Sequence, residues 1–299
     1  MAGAVNTTGV SANTSTKNGN DDGSSSTDGR QQYPKNTYIR HVGGTEDQNT
    51  FDVKFDKDKI YTTLTSKASS VDKWIDDVYI SFPTQIENQN LVVGLDIEWV
   101  RLRRQTGEPN KVDVLQLSLA HKCLIFKFSD CDDDKDQVPY SLGKFLDDKR
   151  IIFVGSGIDQ DARKLWVDWG LNVARSEELA GLAEYKLGGE GIYKAGLKDL
   201  MLEVLGQDLP KPVGLTLSRW DRLLSYNQIM YACLDAYASF KLGMELRRRK
   251  IVHNGFNRYP RKELIRSPQE TNQGQGCKTP NQGQGARGSY KKATTTNLR

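Results

Sequence analysis

The sequence predicts an α/β domain in which a mixed five-stranded sheet is flanked by helices, with a β-hairpin added on its N-terminal side. Three observations carry this expectation. Apolar runs at 91–100, 112–119 and 122–128 follow one another across brief connections, as in an antiparallel meander. Beyond them, short apolar runs and helical patterns alternate, as in βα units. Ahead of them, Phe51, Val53 and Phe55 alternate with polar residues, and a β-branched run at 60–65 follows the turn residues Asp56, Lys57 and Asp58.

Taken in order, residues 1–37 are rich in Asn, Thr, Ser, Gly and Asp. So few large apolar side chains cannot offset the entropy of ordering, and the segment is expected to be disordered. Residues 267–299 are expected to behave alike; their two NQGQG copies, at 272–276 and 281–285, are too few for a structural array. A domain over 38–266 remains. After the hairpin, Ser69 and Ser70 offer N-caps to a helix carrying Val71, Trp74, Ile75 and Val78 at helical spacing. The run 91–100 reads as a buried central strand, and a polar loop with Gly107 and Pro109 links it to the next two. A helix at 141–146, a strand at 151–154, a Gly155-Ser156-Gly157 turn and a helix at 158–169 come next. Helices near 177–187, 196–205 and 225–249 complete the domain. A meander followed by βα units is the order of elements in the ribonuclease-H-like fold. Fold alone does not fix function.

Composition narrows the field. The 299-residue chain is 37% hydrophobic with a mean hydropathy of −0.62, and no apolar run approaches the ~18–20 residues of a membrane span. Its first residues lack the basic start and apolar core of a secretory signal. Cys123, Cys131, Cys233 and Cys277 show no CxxC pairing, and His41, His121 and His253 are not at ligand spacing. Reduced thiols are expected and zinc chemistry is not. The net charge of +4 is uneven: residues 254–299 carry nine Lys/Arg against two acids, which leaves the rest at −3. A basic tail on an acidic body fits a polyanionic partner, and a merely solubilising tail fits equally.

Four acids interrupt apolar surfaces. Asp96 and Glu98 stand two apart on the central strand, so their side chains share one face. Paired acids at the edge of a core repel unless a cation sits between them, and hard divalent cations take oxygen ligands. Asp161 lies beside the apolar stripe of Ile158, Ala162, Leu165, Trp166 and Trp169. Asp235 shares a stripe with Tyr231, Ala238 and Leu242, with Tyr231 one turn earlier. Each has a plainer reading: Asp161 solvated at a helix N-terminus, Asp235 a capped carboxylate in a packing pair. As a set, they match what a two-metal phosphodiester hydrolase needs, with two divalent ions about 4 Å apart.

In order, Val93-Gly-Leu-Asp-Ile-Glu-Trp99, Val114-Leu-Gln-Leu-Ser118, Gly157-Ile-Asp-Gln-Asp-Ala-Arg-Lys-Leu165 and Tyr231-Ala-Cys-Leu-Asp-Ala-Tyr237 resemble the exonuclease motifs of the DEDD superfamily. More narrowly they resemble the Werner-syndrome-like 3′-5′ exonucleases, above all the small stand-alone plant type. The likeness spans about residues 50–250. It implies Mg²⁺ or Mn²⁺ bound by Asp96, Glu98 and Asp235, with Asp96 bridging to a second ion held by Asp161, and Tyr231 orienting the attacking water. A sister subclass has histidine five residues before the last aspartate. Met230 stands there, which places this chain with the tyrosine type. The proline common after Glu-Trp in the family is replaced by Val100-Arg101-Leu102-Arg103-Arg104.

The resemblance implies DNA or RNA 3′ ends as substrate and nucleoside 5′-monophosphates as product. It also implies a separate helicase as partner, because no GxxxxGK[ST] loop occurs. No membrane partner is expected. Arg101, Arg103 and Arg104 are candidate phosphate contacts or a solvated loop. The stretch from Lys211 to Trp220 resembles the family's substrate-side segment, although Trp220 fits a core position equally. The run Arg247-Arg248-Arg249-Lys250 reads first as a helix-end charge cluster and second as a phosphate contact or nuclear import signal; a nuclear or cytoplasmic location rests on it alone. Two rivals stay open. One is a binding or docking module whose acidic site is catalytically weak; the other is an endonuclease on the same fold.

Overall fold

Among the described residues, eight strands form one sheet in the order β1-β2-β3-β6-β5-β4-β7-β8. They are β1 (Thr37–Gly44), β2 (Gln48–Phe55), β3 (Asp58–Thr65), β4 (Leu91–Glu98), β5 (Val114–Leu119), β6 (Lys122–Lys127), β7 (Ile151–Gly155) and β8 (Ser176–Glu178). The computed structural model describes residues 33–252 except Lys35, 102–109, 129–137, 189–190 and Val213. The segment expected to be disordered at 267–299, most of that at 1–37, and Arg103, Arg104, Cys131, His253 and Cys277 lie outside the described residues.

The expected mixed sheet is β6-β5-β4-β7-β8. Strands β4, β5 and β6 form the antiparallel meander, and β7 runs parallel to β4, pairing Gly94 with Val154. The N-terminal addition is larger than a hairpin. Strand β3 joins the sheet by pairing parallel with β6, and β1 extends it beyond β2. Strand β1 is an edge strand with mostly exposed side chains, and β8 is Ser-Glu-Glu. Neither carries the apolar alternation that reveals a strand in a sequence. Ordered chain also starts before residue 38: Thr37 is buried, and Tyr33 packs against the core.

Helices cover both faces: α1 (Ala68–Ser81), α2 (Pro83–Glu87), α3 (Tyr140–Leu146), α4 (Ile158–Trp169), α5 (Leu179–Leu187), α6 (Leu197–Leu205) and α7 (Tyr226–Arg248). Ser69 and Ser70 do not cap α1. The cap position is Lys67, whose side chain does not cap the helix, while the Ser69 hydroxyl donates to Asp47. Strand β4 divides the core by the two-residue period of a strand. Leu91, Val93, Leu95 and Ile97 join the cluster under α1, α3 and α4, whereas Val92 joins the one under α5, α6 and α7. Helix α7 starts at a capping box between Ser225 and Gln228 and is buried almost all round as far as Ser239. It lies between the sheet and α5–α6, so its sequence shows no single clean stripe. Among the described residues no helix is long and apolar enough to cross a membrane.

Candidate active site

Gly94, Asp96 and Glu98 continue the face of β4 that Val92 begins, and α7 lies directly on that face. A Cβ on Gly94 would run into the carbonyl oxygen of Ala236 and stand 2.6 Å from the backbone nitrogen of Phe240. Only glycine lets strand and helix backbones approach this closely. The contact brings Asp235, next to Ala236, over the end of β4. One carboxylate oxygen from each of Asp96, Glu98 and Asp235 lies within 4.8 Å of the others.

Asp161 stands outside that group of three, yet its charge reaches both Asp96 and Glu98. It occupies the first turn of α4, which starts where β7 turns at Gly155–Gly157, at the same end of the sheet as the two strand acids. Gly157 adopts a positive φ of 81° there, a conformation open to glycine at little cost. Across the gap, Glu178 at the end of β8 accepts hydrogen bonds from the backbone N–H groups of Gly157 and Ile158, at 2.8 and 3.1 Å. These are orphan donors of the α4 N-terminus. The Tyr231 hydroxyl lies 3.4 Å from the Thr216 hydroxyl and feels the charge of Asp235.

Charge crowding dominates the electrostatics. Burial, reinforced by the neighbouring carboxylates, pushes Asp96 well above the ordinary range and Glu98 up to about 8. Burial also raises Asp235, against the opposing pull of Lys211, and raises Asp161 to about 7 with help from the Glu178 charge. Tyr231 is raised by burial and by Asp235, so it keeps its proton at any physiological pH. Oxygen Oε2 of Glu98 is buried without a hydrogen-bond partner among the described residues. An orphaned buried carboxylate oxygen is costly, and three converging carboxyl groups that offer oxygen donors alone fit a hard divalent cation.

Three nearby residues escaped the sequence reasoning as site residues. Lys211 places its ammonium 3.3 Å from Asp235 Oδ2 and 6.0 Å from the centre of the Tyr231 ring. Tyr33 has a buried hydroxyl without a partner among the described residues and feels the charge of Asp235. Glu178 is the third. Each comes from a different part of the chain, and none has a period or spacing that ties it to the four acids. The Lys211–Trp220 segment did stand out, but only as a stretch.

Arg101 is exposed, stacks 4.4 Å from the Trp99 ring centre, and pulls Glu98 and Asp161 downward. Trp220 is core, fully buried beside Tyr231. Trp166, expected on the inward stripe of α4, is 59% exposed; Ile158 and Leu165 suffice to seat that short helix. The basic run behaves as a helix-end cluster. Arg247 pairs with Glu177 at 2.6 Å, and Arg248 and Arg249 pair with Glu245. A groove of about 740 Å³ lined by His121, Tyr237, Phe240 and Lys241 lies apart from the acids. Its Lys241 is already bound to Asp58 at 2.6 Å.

The family model described as 3′-5′ exonuclease matches residues 77–250. A 3′-5′ exonuclease of Arabidopsis thaliana is 36% identical over 152 residues, which is 50% of this chain and 50% of that protein. The bifunctional 3′-5′ exonuclease/ATP-dependent helicase WRN of Mus musculus is 32% identical over 157 residues, 52% of this chain and 11% of that protein. A crystal structure of the EXD2 exonuclease domain soaked in Mn and Mg shares 28% identity at a TM-score of 0.34, covering 62% of this chain and 88% of that one. With more than half of its length matched by the family model, and the acids of its central strand and last helix gathered at one end of the sheet, this chain belongs to the 3′-5′ exonuclease family.

Proposed function

We propose that the chain is a divalent-metal-dependent 3′-5′ exonuclease that releases nucleoside 5′-monophosphates from DNA or RNA ends. The observation that carries this reading is the convergence of Asp96, Glu98 and Asp235 within 4.8 Å, with an oxygen of Glu98 left buried and unpartnered. In the proposal Asp96, Glu98 and Asp235 hold Mg²⁺ or Mn²⁺, and Asp161 completes a second position from the α4 N-terminus. Bound divalent ions supply an activated water and stabilise the leaving oxygen of a phosphodiester.

The chain's own groups do the rest. Tyr231 keeps its proton, so its phenol orients a water by hydrogen bonding and does not act as the base. Its contact with the Thr216 hydroxyl, at 3.4 Å, helps hold the phenol beside the carboxylates. Arg101, stacked on Trp99 at the exposed rim, meets the phosphates of the incoming strand. Buried walls on both sides of β4 hold the carboxylates in fixed positions, so little reorganisation accompanies the reaction.

The test is a 5′-labelled strand, offered as matched DNA and RNA, with Mg²⁺ or Mn²⁺ and with chelator. Stepwise shortening from the 3′ end, release of mononucleotides and loss of both in Asp96→Ala/Glu98→Ala support the reading. Cleavage that survives the double substitution overturns it. Internal fragments point instead to an endonuclease, and binding without cleavage to a docking module.

A further inference from the structure

We propose that Lys211 is a built-in counter-ion of the carboxylate cluster, which competes with divalent cations for Asp235 and is released toward substrate phosphate when they bind. The inference rests on the nuclease reading above and concerns how the same site is loaded.

The geometry has three parts. First, Lys211 brings its ammonium to the same carboxylate that takes part in the metal-fitting group, 3.3 Å from Asp235 Oδ2, and the fields of Asp96 and Glu98 act on it as well. The Lys211 charge therefore faces three carboxylates, with Arg101 acting on Glu98 from the rim. Second, the contact is loose. A locked ammonium–carboxylate bond measures about 2.7–2.9 Å, and the Lys211–Asp235 contact at 3.3 Å is longer than that. Third, Lys211 can leave without disturbing the fold. Its segment is pinned by Leu209 and Trp220, both fully buried, while the Lys211 side chain remains 37% exposed against 5% for Asp235. A flexible four-carbon stem can then swing its charge outward from a fixed backbone.

Two cations held at close range by one carboxylate repel each other. A divalent ion on Asp235 therefore displaces the ammonium, which is left at the mouth of an occupied site. A phosphate is the anion that a nucleic acid brings there.

The full chain, without nucleic acid, provides the test. Mn²⁺ affinity is measured by calorimetry for wild type, Lys211→Met, which keeps the stem, and Lys211→Arg, which keeps the charge. Lys211→Met should bind Mn²⁺ about fivefold or more tightly than wild type, the lower end of a typical coupling, and Lys211→Arg should stay near wild type. Equal or weaker binding in Lys211→Met, beside normal binding in wild type, overturns the counter-ion role and leaves the nuclease reading standing. No Mn²⁺ binding by wild type or variant overturns both. A second readout uses only the wild-type protein: acetylation of Lys211 by an amine reagent, followed by mass spectrometry, should rise several-fold when Mn²⁺ is added. Unchanged or reduced labelling at Lys211 overturns the proposal.

Discussion

Gly94 of β4 lies against the carbonyl oxygen of Ala236 on α7, with no room for a methyl group between them. The pair sets how far the last helix sinks onto the sheet, and hence whether Asp235 meets Asp96 and Glu98. Gly94→Ala must push α7 outward against backbone, which no rotamer change relieves. The expected cost is about 1–3 kcal/mol, read by urea unfolding, with activity falling further than stability explains. A variant as stable and active as wild type would show that this contact does not position the site.

Glu98→Gln separates stability from function. The substitution removes a buried carboxyl that burial pushes up to about 8 and whose Oε2 has no partner among the described residues. In chelator the variant should be more stable than wild type by about 0.5–2 kcal/mol. Nuclease turnover should fall roughly a thousandfold, because several kcal/mol of metal-mediated stabilisation are lost. Thermal melts and strand-shortening rates on the same preparations check both halves.

The chelated protein should lose stability as pH rises. An acid whose pKa is higher folded than unfolded makes the native state bind more protons between the two values, so stability falls across that window. For Glu98 the window runs from the ordinary 4.5 to about 8, and for Asp161 from 3.8 to about 7. Asp52 and Asp148, held below the ordinary carboxylate value of 3.8, act outside it. Melting temperature should therefore decline from pH 5 to pH 8 in chelator. Added Mn²⁺ should flatten or reverse the decline, since deprotonated ligands bind it better. A rising curve in chelator would contradict the crowded-carboxylate account.

Glu178→Ala removes the acceptor for two backbone N–H groups at the start of α4. A lost cap costs about 1 kcal/mol. The Asp161 carboxyl, relieved of a neighbouring negative charge, should titrate closer to its ordinary value, which side-chain carboxyl NMR measures directly. An unchanged Asp161 titration would separate the cap from the site.

Tyr231→Phe tests the phenol. Its hydroxyl orients and does not ligate, so Mn²⁺ affinity should hold while turnover drops about 10²-fold or less. A matching loss of metal affinity would recast Tyr231 as part of the metal-holding set.

Local periodicity made most of the scaffold legible. The meander and the βα units are written in apolar spacing, and a two-residue step on a strand or a four-residue step on a helix puts side chains on one face wherever the element sits. That fixed Asp96 with Glu98, and Tyr231 with Asp235, from sequence alone. Strands β1 and β8 left no such trace, because edge strands with exposed or acidic side chains have no apolar face to alternate. Only the tertiary structure decided that the two pairs meet, through the bare backbone of Gly94, and that Asp161 stands at the margin of their group. It also brought Lys211, Glu178 and Tyr33 to the same place. Long-range proximity of this kind depends on how whole elements pack, and packing leaves no period in the chain to read.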